Sequence, residues 1–482
     1  MWQSHRARLA AMAHKSDLAT PNPNLILGIC CLSLLLVAMD VTIVNVALPA
    51  IARKLHAALS QLQWIVDAYT LVVAALLMFT GSMSDRFGRK RVFQIGLVMF
   101  TLGSAACSAA PTIQALIFFR ALQGLGASML NPVALAIIAQ AFPEEKPRAA
   151  AMGVWSAVFG IALALGPLVG GALTQAFGWR LIFLINVPIG ISAVVLTARY
   201  VPESKAARPR ALDPIGQVLI FIALAGLTYA IIEGPRVGWS SAVFIGLLAA
   251  SFGSLAGFLL YEPRRAEPLL DERFFRSVPF SAASVIALLS FGAFAGFLFL
   301  NTLYLQQSRG LSAFHTGLCT LPLAAAVMFC GPLSGRMVGR RGTRPSLLAA
   351  GAGMMAGTLL LTGLSPQTPL PLLLGAYAVF GFALGMVNPA ISTVAVDGMP
   401  RSQTGVAAAV ASTSRQVGAA LGVAVAGTVV HESRTRGIAF SAATHPIWWA
   451  MAACGAAIAI LGWVTNTAWA QNSAQRVAAL MK

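Results

Sequence analysis

Four residues place formal charge where charge is expensive: Asp40 in LVAMDVTIVNVALP, Asp67 in QWIVDAYTLVV, Arg120 in FFRALQGLGASMLNP and Arg415 in SRQVGAALG. Each interrupts an apolar run long enough to cross a bilayer. A carboxylate at mid-membrane costs about 3 kcal/mol on insertion scales, so Asp40 must face a bundle interior or carry a proton. Burial favours the neutral acid and a nearby cation favours the anion. A carboxyl group balanced between them can load a proton from one side and release it to the other, and that chemistry is assigned to Asp40 ahead of a purely structural hydrogen bond. Asp67 lies nearer a span end, where a solvated helix-end charge competes evenly with a coupling role. Arg120 set opposite either acid would hold it charged until substrate or a helix shift breaks the pair; snorkelling to the interface is the competing reading. Arg415 has no acid in its own span. It is left to contact the 381–400 segment or an anionic group of a ligand.

Two glycine-containing clusters suggest movement rather than proton chemistry. In GSMSDRFGRKR (81–91), Gly81 and Gly88 permit a tight turn and close helix approach. Asp85 can cap a helix N-terminus, while Arg86, Arg89, Lys90 and Arg91 can meet helix C-termini and acidic groups. In GIALALGPLVGGAL (160–173), Gly166, Pro167, Gly170 and Gly171 combine a kink with a smooth packing face, as a pivot or seal between bundles would need.

These residues have to be positioned by membrane-spanning helices. Of 482 residues 58% are hydrophobic and 10% charged, with a mean hydropathy of +0.78; soluble domains carry roughly 25% charged residues. Apolar runs fall near 25–47, 62–82, 92–110, 113–136, 149–173, 180–198, 213–233, 239–261, 279–301, 315–337, 345–364, 369–393, 405–430 and 446–466. They lack the alternation of barrel strands, so fourteen helices are expected. The run from Leu25 resembles a secretory signal, but Asp40 interrupts it and no small-residue cleavage site follows; it reads as a retained first span. The segments on the side of the termini hold 24 Lys and Arg and the opposite loops 7, which places both termini in the cytoplasm. The same distribution explains the net charge of +18 without nucleic acid. The six cysteines sit in apolar segments at no metal-ligand spacing and read as small buried hydrophobes.

The chain also repeats itself. GLGASMLNPVALAIIAQAFP (124–143) aligns without gaps to GFALGMVNPAISTVAVDGMP (381–400), and GSMSDRFGRK (81–90) echoes GPLSGRMVGR (331–340). Both pairs sit at matching depth and direction, so two six-helix bundles related by an axis along the membrane normal are expected, with the helices at 213–233 and 239–261 between them. The expected organisation is an N-terminal tail (1–24), a first bundle (25–198), a linker with two extra helices (199–278), a second bundle (279–466) and a C-terminal tail (467–482).

With those motifs in hand, the chain resembles the major facilitator superfamily, and within it the fourteen-span drug:proton antiporters, over about residues 25–466. MDVTIVNVALP (39–49) looks like that branch's first-span signature. GSMSDRFGRK resembles the superfamily loop motif, RALQGLGASMLNP (120–132) the fourth-span motif, and ALALGPLVGG (162–171) the antiporter motif. GWRLIFLINVPIG (178–190) is also typical of the branch. The resemblance implies a rocker-switch cycle, proton coupling through Asp40, Asp67 and Arg120, and a latch at 81–90. There Asp85 would lock an outward-facing state against the span starting near Thr404. The second-half copy of the motif carries Gly335 where the first has Asp85, so the latch is one-sided. Relatives that export cations can carry an acid in the span matching 315–337; this chain has none.

The reading is a proton-coupled exporter of small, largely apolar compounds in the plasma (inner) membrane. It uses the proton gradient with no cofactor and no metal, since no nucleotide loop, ligand cluster or nucleophile elbow is present. A superfamily importer of a small metabolite or organic acid is the alternative, and a non-transporting scaffold or sensor a second one. The substrate cavity is expected at Met39, Asn45, Met129, Asn131, Phe294, Asn301, Tyr304 and Asn388, with Arg415. Its partners are the small-molecule substrate and the lipid bilayer. A periplasmic adaptor and an outer-membrane channel are partners that no residue here selects.

Overall fold

The computed structural model describes residues 22–206, 212–265, 271–397, 399 and 404–480. Among them every regular element is helical. Fourteen long helices coincide with the fourteen apolar runs. They are α1 (Pro23–Leu55), α2 (Leu59–Phe87), α3 (Arg89–Ala109), α4 (Ile113–Ala141), α5 (Glu145–Phe177), α6 (Leu181–Tyr200) and α7 (Pro214–Val237). The remaining seven are α8 (Ala242–Tyr261), α9 (Val278–Leu303), α10 (Ala313–Arg341), α11 (Arg344–Leu359), α12 (Leu370–Val396), α13 (Thr404–Thr435) and α14 (Phe440–Val464). Twelve of them are long and apolar enough to cross a membrane; α11 and α13 are not. The first is short at 16 residues. The second is 32 residues long but diluted by Arg415, serines and glycines.

Helix ends follow local chemistry. Proline occupies the first turn of α1, α7, α9, α11 and α12, where its missing N–H costs nothing. Asn22, Thr112, Asp213, Ser241 and Ser312 accept a hydrogen bond from the first turn of the helix each one opens. In α4 the ladder breaks at Met129, just before Asn131-Pro132, whereas α12 runs unbroken through Pro389.

The internal repeat has a structural counterpart. Gly124 of α4 lies against the backbone of Tyr69 in α2, and Gly381 of α12 against the backbone of Leu323 in α10, each with no room for a Cβ. Repeat-related glycines thus make repeat-related close approaches. Buried apolar residues form one core from α1 to α6 and a larger one that joins the second bundle to the α1, α2 and α4 ends remote from the N-terminus.

The segment expected as an 81–91 loop is mostly helix. α2 continues to Phe87 and α3 begins at Arg89, leaving Gly88 alone as the turn. Gly88 has φ +114°, which a residue with a Cβ rarely adopts. Gly81 is an ordinary helical residue with open space beside it. The expected C-terminal tail is also structured, with a helix α15 (Ala468–Leu480) whose Ser473 hydroxyl accepts the Val278 N–H at the start of α9. Of the expected N-terminal tail, residues 1–21 lie outside the described residues.

The bundles are tied to each other at the face remote from the N-terminus of α1. The Gln63 amide of α2 donates to the Val423 and Ala424 carbonyls of α13 (3.3 and 2.8 Å). Beyond α9 the last turn widens to i→i+5 bonding over 304–308, and Gln306 there donates to the Val46 carbonyl of α1 (2.8 Å). Among the described residues the hydrogen bonds between the two bundles all lie at this far face.

Candidate functional site

Asp40 and Arg120 meet. The Arg120 Nη1 donates to Asp40 Oδ2 at 2.6 Å, with side chains 1% and 0% exposed. Arg120 therefore does not snorkel, and its helix delivers it to the bundle interior. One turn along, Gly124 lets α4 lie directly on the Tyr69 backbone of α2. On the same face of α4, Gln123 stands three residues along. Its Oε1 accepts from Arg120 Nη1 (2.8 Å) and its Nε2 donates to Asp40 Oδ1 (2.9 Å). Arg120 Nε donates to the Ile65 carbonyl (3.0 Å), and the guanidinium lies over the Tyr69 ring at 4.3 Å. From α6, Asn186 donates to Asp40 Oδ1 (3.2 Å) and to Ser104 Oγ (3.1 Å), and Ser104 donates to the Phe183 carbonyl (2.8 Å). Five helices of the first bundle converge on one ion pair.

Taking both ions out of water costs several kcal/mol each, and only good geometry with satisfied neighbours offsets it. Here Asp40 accepts from three donors and Arg120 donates to three acceptors. Either charge alone would be stranded, so a proton arriving on Asp40 forces Arg120 to find another partner or the helices to move.

Asp67 is also fully buried, yet neither carboxyl oxygen has a hydrogen-bond partner. Its position at a span end does not make it a solvated charge. It lies one turn from Gln63, on the face of α2 that bonds to α13. The structure does not bring Asp67 to Arg120; among the described residues it makes no ion pair.

The 81–90 motif is held inside the first bundle. Asp85 Oδ1 accepts from Arg89 Nη2 (2.9 Å), and Arg89 Nη1 reaches Gln140 Oε1 at the end of α4 (3.3 Å). Lys90 Nζ donates to the Ala198 carbonyl (2.8 Å). The cap on α3 is supplied by Glu203, not Asp85: its carboxylate accepts the N–H groups of Lys90 (3.1 Å) and Arg91 (3.2 Å). A carboxylate suits the positive end of a helix. Arg86 is exposed. The expected latch partner at the start of α13 adjoins residues 400–403, which lie outside the described residues.

In α5, Gly166 and Gly170 lie against Thr42 and Ile43 of α1, while Gly171 meets the Ala313 and Phe314 backbone of α10. The Pro167 carbonyl faces Gly317 in the same way. One short stretch therefore packs both within its own bundle and across the seam.

The residues expected to line a cavity differ in burial and in hydrogen-bond partners. Met39, Asn45 and Met129 are buried in the first bundle, and Asn45 donates to its own helix at Val41. Asn131 is half-buried with its Oδ1 unpartnered. Phe294 is buried in α9. Asn301 accepts from the Tyr377 hydroxyl, and the Tyr304 hydroxyl donates to the Ser365 carbonyl (2.6 Å), both inside the second bundle. Asn388 is half-buried on α12, one turn before Ser392, and Ser392 accepts from Arg415 Nη2 (2.8 Å). Gln123, Asn186, Ser104 and Glu203 were not singled out from the sequence. Gln123 alone carried a usable signal, its i,i+3 spacing from Arg120.

The family model described as Major Facilitator Superfamily matches residues 30–423. The chain is 39% identical over 399 residues to the multidrug resistance protein Stp of Mycobacterium tuberculosis (strain ATCC 25618 / H37Rv), covering 83% of this chain and 74% of that one. It is 36% identical over 400 residues to the tetracenomycin C resistance and export protein of Streptomyces glaucescens, covering 82% and 74%. Among solved structures it superposes on an inward-facing, unoccupied bacterial homolog of the human lysosomal transporter Spinster with a TM-score of 0.62. That likeness covers 96% of this chain and 98% of that one at 18% identity, a likeness of fold.

Proposed function

The chain belongs to the Major Facilitator Superfamily, and we propose that it is a fourteen-span drug:proton antiporter exporting small, largely apolar compounds. It is a secondary transporter of the multidrug-efflux kind, not an enzyme. The proton is our reading, and it rests on one observation: the sealed Asp40–Arg120 pair. While Asp40 is ionised, the pair and its amide donors from α4 and α6 hold the first bundle together. When Asp40 takes a proton, the Coulombic hold on Arg120 is lost, while Ile65, Gln123 and Tyr69 still retain the guanidinium. Arg120 is then a buried charge without its anion, and that cost drives the bundle to repack until the guanidinium is solvated or paired again. The cycle needs no cofactor.

Fourteen spans are supported by the packing of α11 and α13, which occupy span positions although composition alone does not qualify them. α13 faces other helices on several sides, so it need not be apolar all round. The basic bias places both termini in the cytoplasm of a cell whose plasma membrane holds the protein. The far-face ties then make this an inward-facing arrangement.

Expression in an efflux-deficient bacterial host tests the assignment with Nile red as probe. Expressing cells should retain less dye, and a protonophore should abolish the difference. Equal retention, or efflux that persists under the protonophore, would sink the proposal.

A further inference from the structure

Arg415 of α13 is a cation without a counter-ion. Among the described residues no carboxylate lies within ion-pair distance of it. Its Nη1 donates to Ser412 Oγ (3.1 Å) and its Nη2 to Ser392 Oγ (2.8 Å), while its buried Nε has no partner. The ring of Phe291 from α9 lies 5.8 Å from Cζ. Ser392 is exposed and Arg415 half-buried. A guanidinium and a hydroxyl exposed on membrane-spanning helices face a polar opening, not lipid. Their exposure suits an aqueous opening beside α12 and α13. Along α13 the site lies between two contacts with α2, Gln63 on Val423 and Ala424, and Met78 against the Val406–Val410 cluster.

Five N–H donors, a bare charge, two hydroxyl groups and an aromatic wall form an acceptor-seeking site beside apolar surface. Within the efflux reading, on which this rests, we propose that Arg415, with Ser392 and Ser412, binds an anionic group of the substrate, a carboxylate being the simplest fit. The transported class then includes lipophilic organic acids beside neutral apolar compounds. A planar guanidinium takes both oxygens of a carboxylate, which two serine hydroxyls acting as acceptors cannot substitute. On α2, which packs against α13, Asp67 is a buried acid whose oxygens have no partner here. A cross-bundle Asp67–Arg415 pair in another conformation is the competing explanation, and the experiment separates the two.

The test is binding to purified full-length protein in phosphatidylcholine nanodiscs, by calorimetry, using acid and amide pairs: 2-naphthoate with 2-naphthamide, and indole-3-acetate with indole-3-acetamide. Wild type should bind the acid about ten-fold more tightly in at least one pair, the scale of a charge-assisted hydrogen bond. Arg415→Gln should erase the preference, Arg415→Lys should keep part of it, and Ser392→Ala should lower it a few-fold. Equal binding of acid and amide by wild type in both pairs overturns the proposal, a result that does not depend on any variant folding. So does a preference that survives in Arg415→Gln. Restoration of Arg415→Gln thermal stability by a second substitution, Asp67→Asn, would assign Arg415 to an internal pair and overturn it as well. Nile red efflux by wild type is scored separately. Its absence defeats the efflux reading, whereas efflux without acid preference defeats only the anion site.

Discussion

Two buried acids sit in one bundle and differ in what surrounds them. Asp40 accepts from Arg120, Gln123 and Asn186, whereas Asp67 has no partner. Substitution should separate them. Asp40→Asn leaves Arg120 buried without its anion, and removing one member of such a pair costs about 3–5 kcal/mol. A clear fall in melting temperature of the detergent-purified protein is expected. Asp67→Asn removes no hydrogen bond seen here, so stability should change by no more than about 1 kcal/mol. If Asp67 exchanges protons during the cycle, the same variant should flatten the pH dependence of efflux; an unchanged profile would remove it from coupling. Arg120→Lys should cut turnover at least about ten-fold, because a single ammonium cannot reproduce the geometry toward Ile65, Asp40 and Gln123; near-normal turnover would reduce Arg120 to a point charge. Asp40 and Arg120 were legible in the sequence because a charge inside an apolar run stands out. Gln123, Asn186 and Ser104 were not, since neutral polar groups barely change the run, and their roles depend on which helices face each other.

At the scale of elements, the 81–90 motif turned out to be two helices pivoting on one residue. Within the motif Gly88 alone has a positive φ, and its Cα faces the Glu203 carboxylate that caps α3. Gly88→Ala should therefore destabilise the protein by about 1–3 kcal/mol. Gly81→Ala, inside α2 with open space beside it, should be neutral or slightly stabilising. Thermal denaturation of the two variants checks this, and equal effects would contradict it. The sequence pointed to a turn because glycines and charges cluster there. It could not show that α2 continues through Gly81, nor that a glutamate more than a hundred positions away supplies the cap. The extra helix α7 bonds to both bundles: Gln217 to the Ala75 carbonyl, Glu233 to Trp64 of α2, and the Ile231 carbonyl to Thr428 of α13 (2.8 Å). Its hairpin thus straddles the α2–α13 seam, a role that hydropathy alone could not reveal.

Across the whole molecule, the hydrogen bonds between the bundles among the described residues lie at one face, and alternating access requires that join to open. Gly171 of α5 and Ala313 of α10 are in backbone contact there. Gln63→Ala, which removes the amide bonds to the Val423 and Ala424 carbonyls across this face, should raise labelling of an Ala313→Cys thiol by a membrane-impermeant reagent; unchanged labelling would mean that these bonds do not hold the face shut. The helical segments and the repeat were visible in the sequence because both are patterns along one dimension, although among the described residues twelve of the fourteen expected spans are long and apolar enough to cross a membrane. Which face is closed was not, because the same residues must serve both arrangements.

The most direct test of the central claim uses purified protein in proteoliposomes with an imposed pH gradient, comparing wild type with Asp40→Asn. Wild type should concentrate Nile red against its gradient while protons move the other way, and Asp40→Asn should carry dye only downhill with no coupled proton flux. Undiminished uphill transport and proton flux in Asp40→Asn would show that the Asp40–Arg120 pair is structural and that the energy enters elsewhere.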